Sequence, residues 1–113
     1  MTLREITELI NGRVYTGDDR IDEDITTSFA SDLMSDVLTL KSSPLLLTGL
    51  CNVQTIRTCD MACIEHIVIV RNKKPTEEMI ELARENDTVL ISTEYSLFKV
   101  CGILYGAGIQ PLF

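Results

Sequence analysis

Basic residues are scarce in this sequence: ten Lys and Arg stand against seventeen Asp and Glu, for a net charge of −7. Nucleic-acid binding draws mainly on Lys and Arg neutralising phosphates, and here they are scattered apart from Arg71-Asn72-Lys73-Lys74. Aromatics are sparse too, with no Trp, three phenylalanines (Phe29, Phe98, Phe113) and three tyrosines. A nucleic-acid partner is therefore not expected. No apolar run approaches the roughly 20 residues that span a bilayer, so no membrane partner is expected. The start, Met1-Thr2-Leu3-Arg4-Glu5, is charged and helix-like rather than a signal peptide, and the expected location is cytoplasmic. No Cys-x-x-Cys pair occurs among Cys51, Cys59, Cys63 and Cys101. In a reducing compartment four free, reduced, metal-free thiols buried in the core are expected rather than two disulfides. Phosphoryl transfer needs a G-x-x-x-x-G-K-[ST] loop, and Gly102, Gly106 and Gly108 are followed by no such Lys-Ser/Thr. The lone His66 has no nucleophile arranged beside it in the manner of a triad.

What is present is a core. At 113 residues and 45% apolar composition, the chain has the length and the hydrophobic content of one domain, residues 1–113. Thr2-Leu3-Arg4-Glu5 is a capping box, and Leu3, Ile6, Leu9 and Ile10 then follow helical spacing until Asn11-Gly12. Arg13 to Thr16 reads as a short strand, and the weak alternation from Ile21 to Ser31 as another. Asp32 to Leu40 returns to helical spacing, with Ser31 as N-cap and Asp32 at the positive end of the dipole. Pro44 to Leu47 is a buried strand, and Val53 to Cys63 a helix with Val53, Ile56 and Cys63 inward. His66 to Val70 is the clearest strand, apolar on both faces as in a central parallel strand. Pro75 to Glu85 is a helix with Pro in its first turn, Val89 to Thr93 another buried strand, and Thr93 the cap of a last helix that Gly106 stops. Helices alternating with apolar strands predict a three-layer α/β/α sandwich on a small, mostly parallel sheet.

Several stretches carry a family resemblance. Phe29-Ala30-Ser31-Asp32-Leu33-Met34-Ser35-Asp36-Val37-Leu38 resembles the S-D-L-L-S-D-V segment of the DRTGG-domain family, relatives of the N-terminal domain of HPr kinase/phosphorylase. Leu47-Thr48-Gly49-Leu50, Arg71-Asn72-Lys73-Lys74-Pro75, Leu90-Ile91-Ser92-Thr93 and Cys101-Gly102-Ile103-Leu104-Tyr105 are similar as well. The eponymous motif is degenerate: it stands as Asp22-Glu23-Asp24-Ile25-Thr26-Thr27-Ser28, with Glu23 in place of Arg and Thr27 and Ser28 in place of two glycines. The resemblance implies an α/β domain of the HPr kinase N-terminal type, self-association, and a regulatory or ligand-sensing role without catalysis. In some family members the domain sits beside adenine-nucleotide-binding modules.

In open α/β sheets ligands collect where parallel strands exit and helices begin. Ser31, Asp32, Thr48, Gly49, Asn52 and Thr93 stand at such positions and are the candidate ligand-binding residues, for a nucleotide or small polar metabolite. The competing account is structural, because Ser31, Asn52 and Thr93 are also natural caps, which helices require with or without a ligand. Asp32 and Asp36, i,i+4 on one helix face, could share a hard cation, or simply serve the dipole and the solvent. Cys51, Cys59, Cys63 and His66 are the only soft-metal set, against which core thiols are the alternative. The expected protein is thus a non-catalytic, cofactor-free regulatory module, homodimeric through surfaces that include the apolar stretch Ile109-Gln110-Pro111-Leu112-Phe113, whose partners are itself, a small metabolite or nucleotide, or another protein. The alternative is a thiol- or metal-based redox sensor built on Cys51, Cys59, Cys63 and His66.

Overall fold

The computed structural model describes residues 1–113. Helix α1 (Leu3–Leu9) opens on the expected capping box: the Glu5 amide donates to the Thr2 hydroxyl at 3.2 Å and the Thr2 amide to the Glu5 carboxylate at 3.0 Å. Strand β1 (Arg13–Thr16), a 3-10 turn (Asp18–Arg20), β2 (Thr27–Ala30), a one-turn helix α2 (Met34–Val37) and β3 (Leu45–Thr48) follow. The second half is α3 (Val53–Met61), β4 (His66–Ile69), α4 (Glu77–Glu85), β5 (Val89–Ser92), α5 (Leu97–Gly106) and the two-residue strand β6 (Gln110–Pro111).

The strands form one sheet in the order β1-β5-β4-β3-β2-β6. Every neighbouring pair is parallel except β1, which runs antiparallel to β5 with Arg13 opposite Ser92. The three central strands are buried along their whole length, as their unbroken apolar sequences require. Their side chains alternate between two cores. Leu45, Leu47, Val68, Val70, Val89 and Ile91 meet Leu3, Ile6 and Ile10 of the α1 segment and Val100 and Leu104 of α5. Leu46, Ile67, Ile69 and Leu90 meet Val37, Ile56 and Cys59, and Met79 and Ala83 of α4. Helices on both faces of a mostly parallel sheet make three layers.

Several local expectations failed at element boundaries. The helix predicted over 32–40 shrinks to Met34–Val37, with Leu33 at its N-cap position and no capping side chain. Asp32 stays outside it because its carboxylate accepts from the end of β3, and the Ser31 hydroxyl accepts only the Leu33 amide, at 3.0 Å. Asp32 and Asp36 therefore do not share a helix face. The segment 21–31 is no continuous strand: Ile21 and Ile25 are buried, but their backbone is claimed by α1, with Arg4 N to Ile21 O and Ile25 N to Met1 O both at 2.7 Å. Pro75 precedes α4, whose cap is Thr76, and α5 is capped by Ser96 rather than Thr93. Helix α3 ends before Cys63, which turns outward at φ 59 and is exposed; Thr55, Ile56, Thr58 and Cys59 are buried, and Val53 packs partly against the core as expected. Helix α5 runs through Gly106, and Gly108, at φ +102, turns the chain into β6.

Candidate functional site

Parallel register brings the exits of β2, β3, β4 and β5 to one edge: Ala30 lies opposite Leu47, Thr48 opposite Ile69, and Ile69 opposite Ser92. The residues that follow these strand ends are Ser31 and Asp32, Gly49, Arg71 and Asn72, and Thr93. Asn52 begins α3 four residues past Thr48. All six candidate residues therefore belong to the carboxyl edge, but their polar groups serve the fold in separate sets.

The β2–β3 half is a closed knot. One Asp32 carboxylate oxygen accepts from the Thr48 hydroxyl at 3.0 Å and from the Gly49 amide at 2.7 Å, and the Thr48 oxygen accepts from the Leu50 amide. The Lys73 ammonium donates to the Gly49 carbonyl. Asn52 accepts the Thr55 amide at 2.8 Å and its hydroxyl at 3.0 Å, an N-cap to α3. Thr93 donates to the Ile10 carbonyl at 2.6 Å and accepts the Tyr95 amide at 3.1 Å, which ties β5's exit to the end of α1.

The β5–β1 half is open. A cavity of about 210 Å³ lies there, lined among others by Arg13, Asn72, Lys73, Lys74, Ser92 and Thr93. Of these only Thr93 belongs to the predicted set. Lys73 and Lys74 come from the sequence's single basic cluster, a signal that was visible. Arg13 arrives only through the antiparallel β1–β5 pairing, which no local pattern announces. Arg71 and Asn72 hold left-handed backbone at φ 67 and 58. Their amides are pinned to the carbonyls of Tyr95 at 2.7 Å and Thr93 at 2.9 Å, which shapes the loop in advance.

A larger, apolar groove of about 410 Å³ runs between α5 and the β2–β6 edge, past Ala30, Phe98, Cys101, Tyr105 and Pro111. Phe98 is 77% and Tyr105 71% exposed beside it.

The degenerate motif segment lies at the opposite, amino end of the sheet. There Arg20 donates to both carboxylate oxygens of Glu23 at 2.8 and 3.0 Å and to Glu65 at 2.9 Å. Glu23 also pairs with His66 Nε2 at 2.8 Å, and Nδ1 of that buried ring has no partner. The Arg20 guanidinium, and then His66, hold the Glu23 carboxyl below the usual range.

His66 is thus engaged with a carboxylate rather than with thiols. No three His, Cys, Asp or Glu side chains come together to hold a metal ion. All four cysteines are free, but only Cys59 is fully buried, and burial pushes its thiol up to about 12. Cys51 and Cys101 are half-buried and raised for the same reason. Cys51, Cys59, Cys63 and His66 do not come together as a metal-ligand set, and no feature of the fold supports a redox sensor built on them. No helix is long and apolar enough to cross a membrane.

No protein-family model and no curated protein sequence matches the chain. Among solved structures it is similar to the CBS and DRTGG domains of the regulatory region of Clostridium perfringens pyrophosphatase, complexed with the activator diadenosine tetraphosphate. The TM-score is 0.72 with 15% identity over 91% of this chain, which spans 45% of the length of that one. At that identity the likeness is one of fold: this is an α/β domain with the architecture found in that regulatory region.

Proposed function

We propose that the chain is a DRTGG-type regulatory module, of the HPr kinase N-terminal kind, that performs no chemistry itself and binds a nucleotide or small polar metabolite at the carboxyl edge of its sheet. The observation that carries this is the fold shared over 91% of the chain with a regulatory region that was captured with a dinucleotide activator. The motif-like stretches Ser31 to Leu38 and Leu47 to Leu50 support the same reading, since both lie at the edge where open α/β sheets hold ligands. The absence of a phosphate-binding loop from the sequence supports a sensing rather than a phosphoryl-transfer role.

Self-association belongs to the proposal. The groove beside Phe98 and Tyr105 is apolar and open, and an exposed apolar strip of this kind marks an interaction surface. Homodimerisation there is supported by the groove's continuity with the apolar residues Ile109 and Pro111.

Thermal denaturation against a panel of nucleotides and phosphorylated metabolites, diadenosine tetraphosphate included, tests the ligand-binding role. A native-state ligand at a hundred times its Kd contributes about 2.7 kcal/mol, a rise of roughly ten degrees for a domain of this size. A panel that leaves the melting temperature unmoved sinks the proposal. Light scattering tests self-association, and a monomer at high micromolar concentration removes it.

A further inference from the structure

We propose that the cavity between the exit of β5, the start of β1 and the loop after β4 is a phosphate site, which takes the phosphomonoester group of a small ligand. The assignment rests on the ligand-binding role proposed for the chain and narrows it to one half of the edge.

Four observations meet here. The first is charge. In a chain of net charge −7, this cavity gathers Arg13, Lys73 and Lys74 against the single carboxylate of Glu94. None of the three cations sits in a salt bridge: the chain's ion pairs involve Arg4, Arg20, His66 and the N-terminus. Lys73 is partly committed to the Gly49 carbonyl, whereas the Arg13 guanidinium carbon lies over the Tyr15 ring, 5.1 Å from its centroid, and donates to no group of the chain. Its N–H groups are therefore open to a bidentate phosphate contact.

The second is an unused polar group. Ser92 is 8% exposed, lines the cavity, and its hydroxyl makes no hydrogen bond within the chain. The hydroxyls of Thr48 and Thr93 on the same edge are both engaged. Without a partner in the chain and not sealed from solvent, the Ser92 hydroxyl is available to donate to an anion that the neighbouring cations attract.

The third is preorganisation. The left-handed pair Arg71 and Asn72, with both amides pinned, presents Lys73 and Lys74 from a loop that need not reorder on binding. The fourth is size. At about 210 Å³ the cavity is below the roughly 300–1,000 Å³ of sites that engulf a whole drug-sized ligand. It suits a phosphate and an adjoining sugar, with the rest of the ligand outside.

The test is an amide-shift titration of the full chain with sodium phosphate, against sodium chloride at matched ionic strength. Phosphate should move the amides of Asn72, Lys74, Ser92 and Thr93 saturably, with chloride leaving them still. The double variant Arg13→Ala/Lys74→Ala should weaken phosphate about tenfold. The control Lys41→Ala/Arg57→Ala, which changes net charge equally at other exposed sites, should not. Ser92→Ala, which keeps every charge, should weaken it about threefold. Ribose 5-phosphate and AMP separate the sources: equal affinity for all three marks a free anion, and a gain along the series on the same amides marks a nucleotide. Shifts that fall elsewhere, or equal losses in the two double variants, overturn the site. A nucleotide that stabilises the chain while its shifts avoid this cavity sinks the phosphate site and leaves the ligand-binding role standing. Saturable phosphate shifts here, with no panel compound raising the melting temperature, sink that role and keep the anion site.

Discussion

At the amino end of the sheet, Arg20 grips Glu23, Glu65 and the Asp87 carbonyl while Glu23 holds His66. At the carboxyl end, hydroxyls and amides do the corresponding work: Thr48 and Gly49 on Asp32, Thr93 on Ile10. The amino end joins three segments through one guanidinium and leaves Arg20 only 13% exposed. The carboxyl end is joined piecewise by one or two hydrogen bonds per segment, and between two of the pieces a cavity stays open. The contrast is between an end drawn together by one buried guanidinium and an end that leaves cations and a hydroxyl open to solvent around a cavity.

If that contrast is sound, the largest single loss comes from the amino end. Arg20→Ala leaves Glu23 and Glu65 facing one another without a cation and strips the Asp87 carbonyl of its donor, so we expect about 3 kcal/mol of destabilisation in urea denaturation, at the low end for a broken buried pair because both carboxylates are partly exposed. A loss below that of the carboxyl-end variants would break the comparison. Next is Asp32→Ala, which frees the Thr48 hydroxyl and the Gly49 amide in one step. One charge-assisted acceptor lost predicts about 1–2 kcal/mol.

Acid should distinguish the ends as well. Arg20 first and His66 second depress the Glu23 carboxyl in the folded chain. The stability this contributes is complete above the unfolded Glu value of about 4.3 and is lost as pH falls through the lower, folded value. The gap in urea midpoint between wild type and Glu23→Gln should be widest near neutrality and close below about pH 4. A gap that is constant from pH 7 to pH 3 would show that Glu23 acts by packing and not by charge.

The parts of this architecture legible in the sequence are those whose chemistry is local. Leu45 to Thr48, His66 to Ile69 and Val89 to Ser92 read as buried strands because a run apolar on both faces has few other uses. The capping box at Thr2 and Glu5 closes within three residues. What misled at Asp32 and Thr93 was a non-local claim. Asp32 looks like the first residue of a helix until β3 supplies two donors sixteen and seventeen residues away. Thr93 reads as the cap of α5, but its hydroxyl goes to the Ile10 carbonyl 83 residues away, and the helix starts later, at the Ser96 cap. The convergence of the strand exits on one edge followed from strand order, but the edge's open half depends on Arg13 opposite Ser92, a pairing that only the assembled sheet creates. Cys63 fell on an apparent helical face because nothing nearby marks the left-handed turn that ends α3 ahead of it.

The smallest effect expected is the sharpest test of the open half, because it compares two adjacent hydroxyls. Thr93 donates to Ile10 and accepts from Tyr95, so Thr93→Val leaves a carbonyl and an amide unpaired at a buried position and should cost about 1–2 kcal/mol. Ser92 is 8% exposed against 3% for Thr93, and its hydroxyl, open to solvent, bonds to nothing in the chain. Removing it deletes no hydrogen bond within the chain, so Ser92→Ala should be neutral to within about 0.5 kcal/mol. Measured side by side in urea, the two variants should separate, although both remove one oxygen from one strand end. A Ser92→Ala loss as large as that of Thr93→Val would mean the serine hydroxyl already has a structural partner, and the carboxyl edge would then be as closed as the amino end.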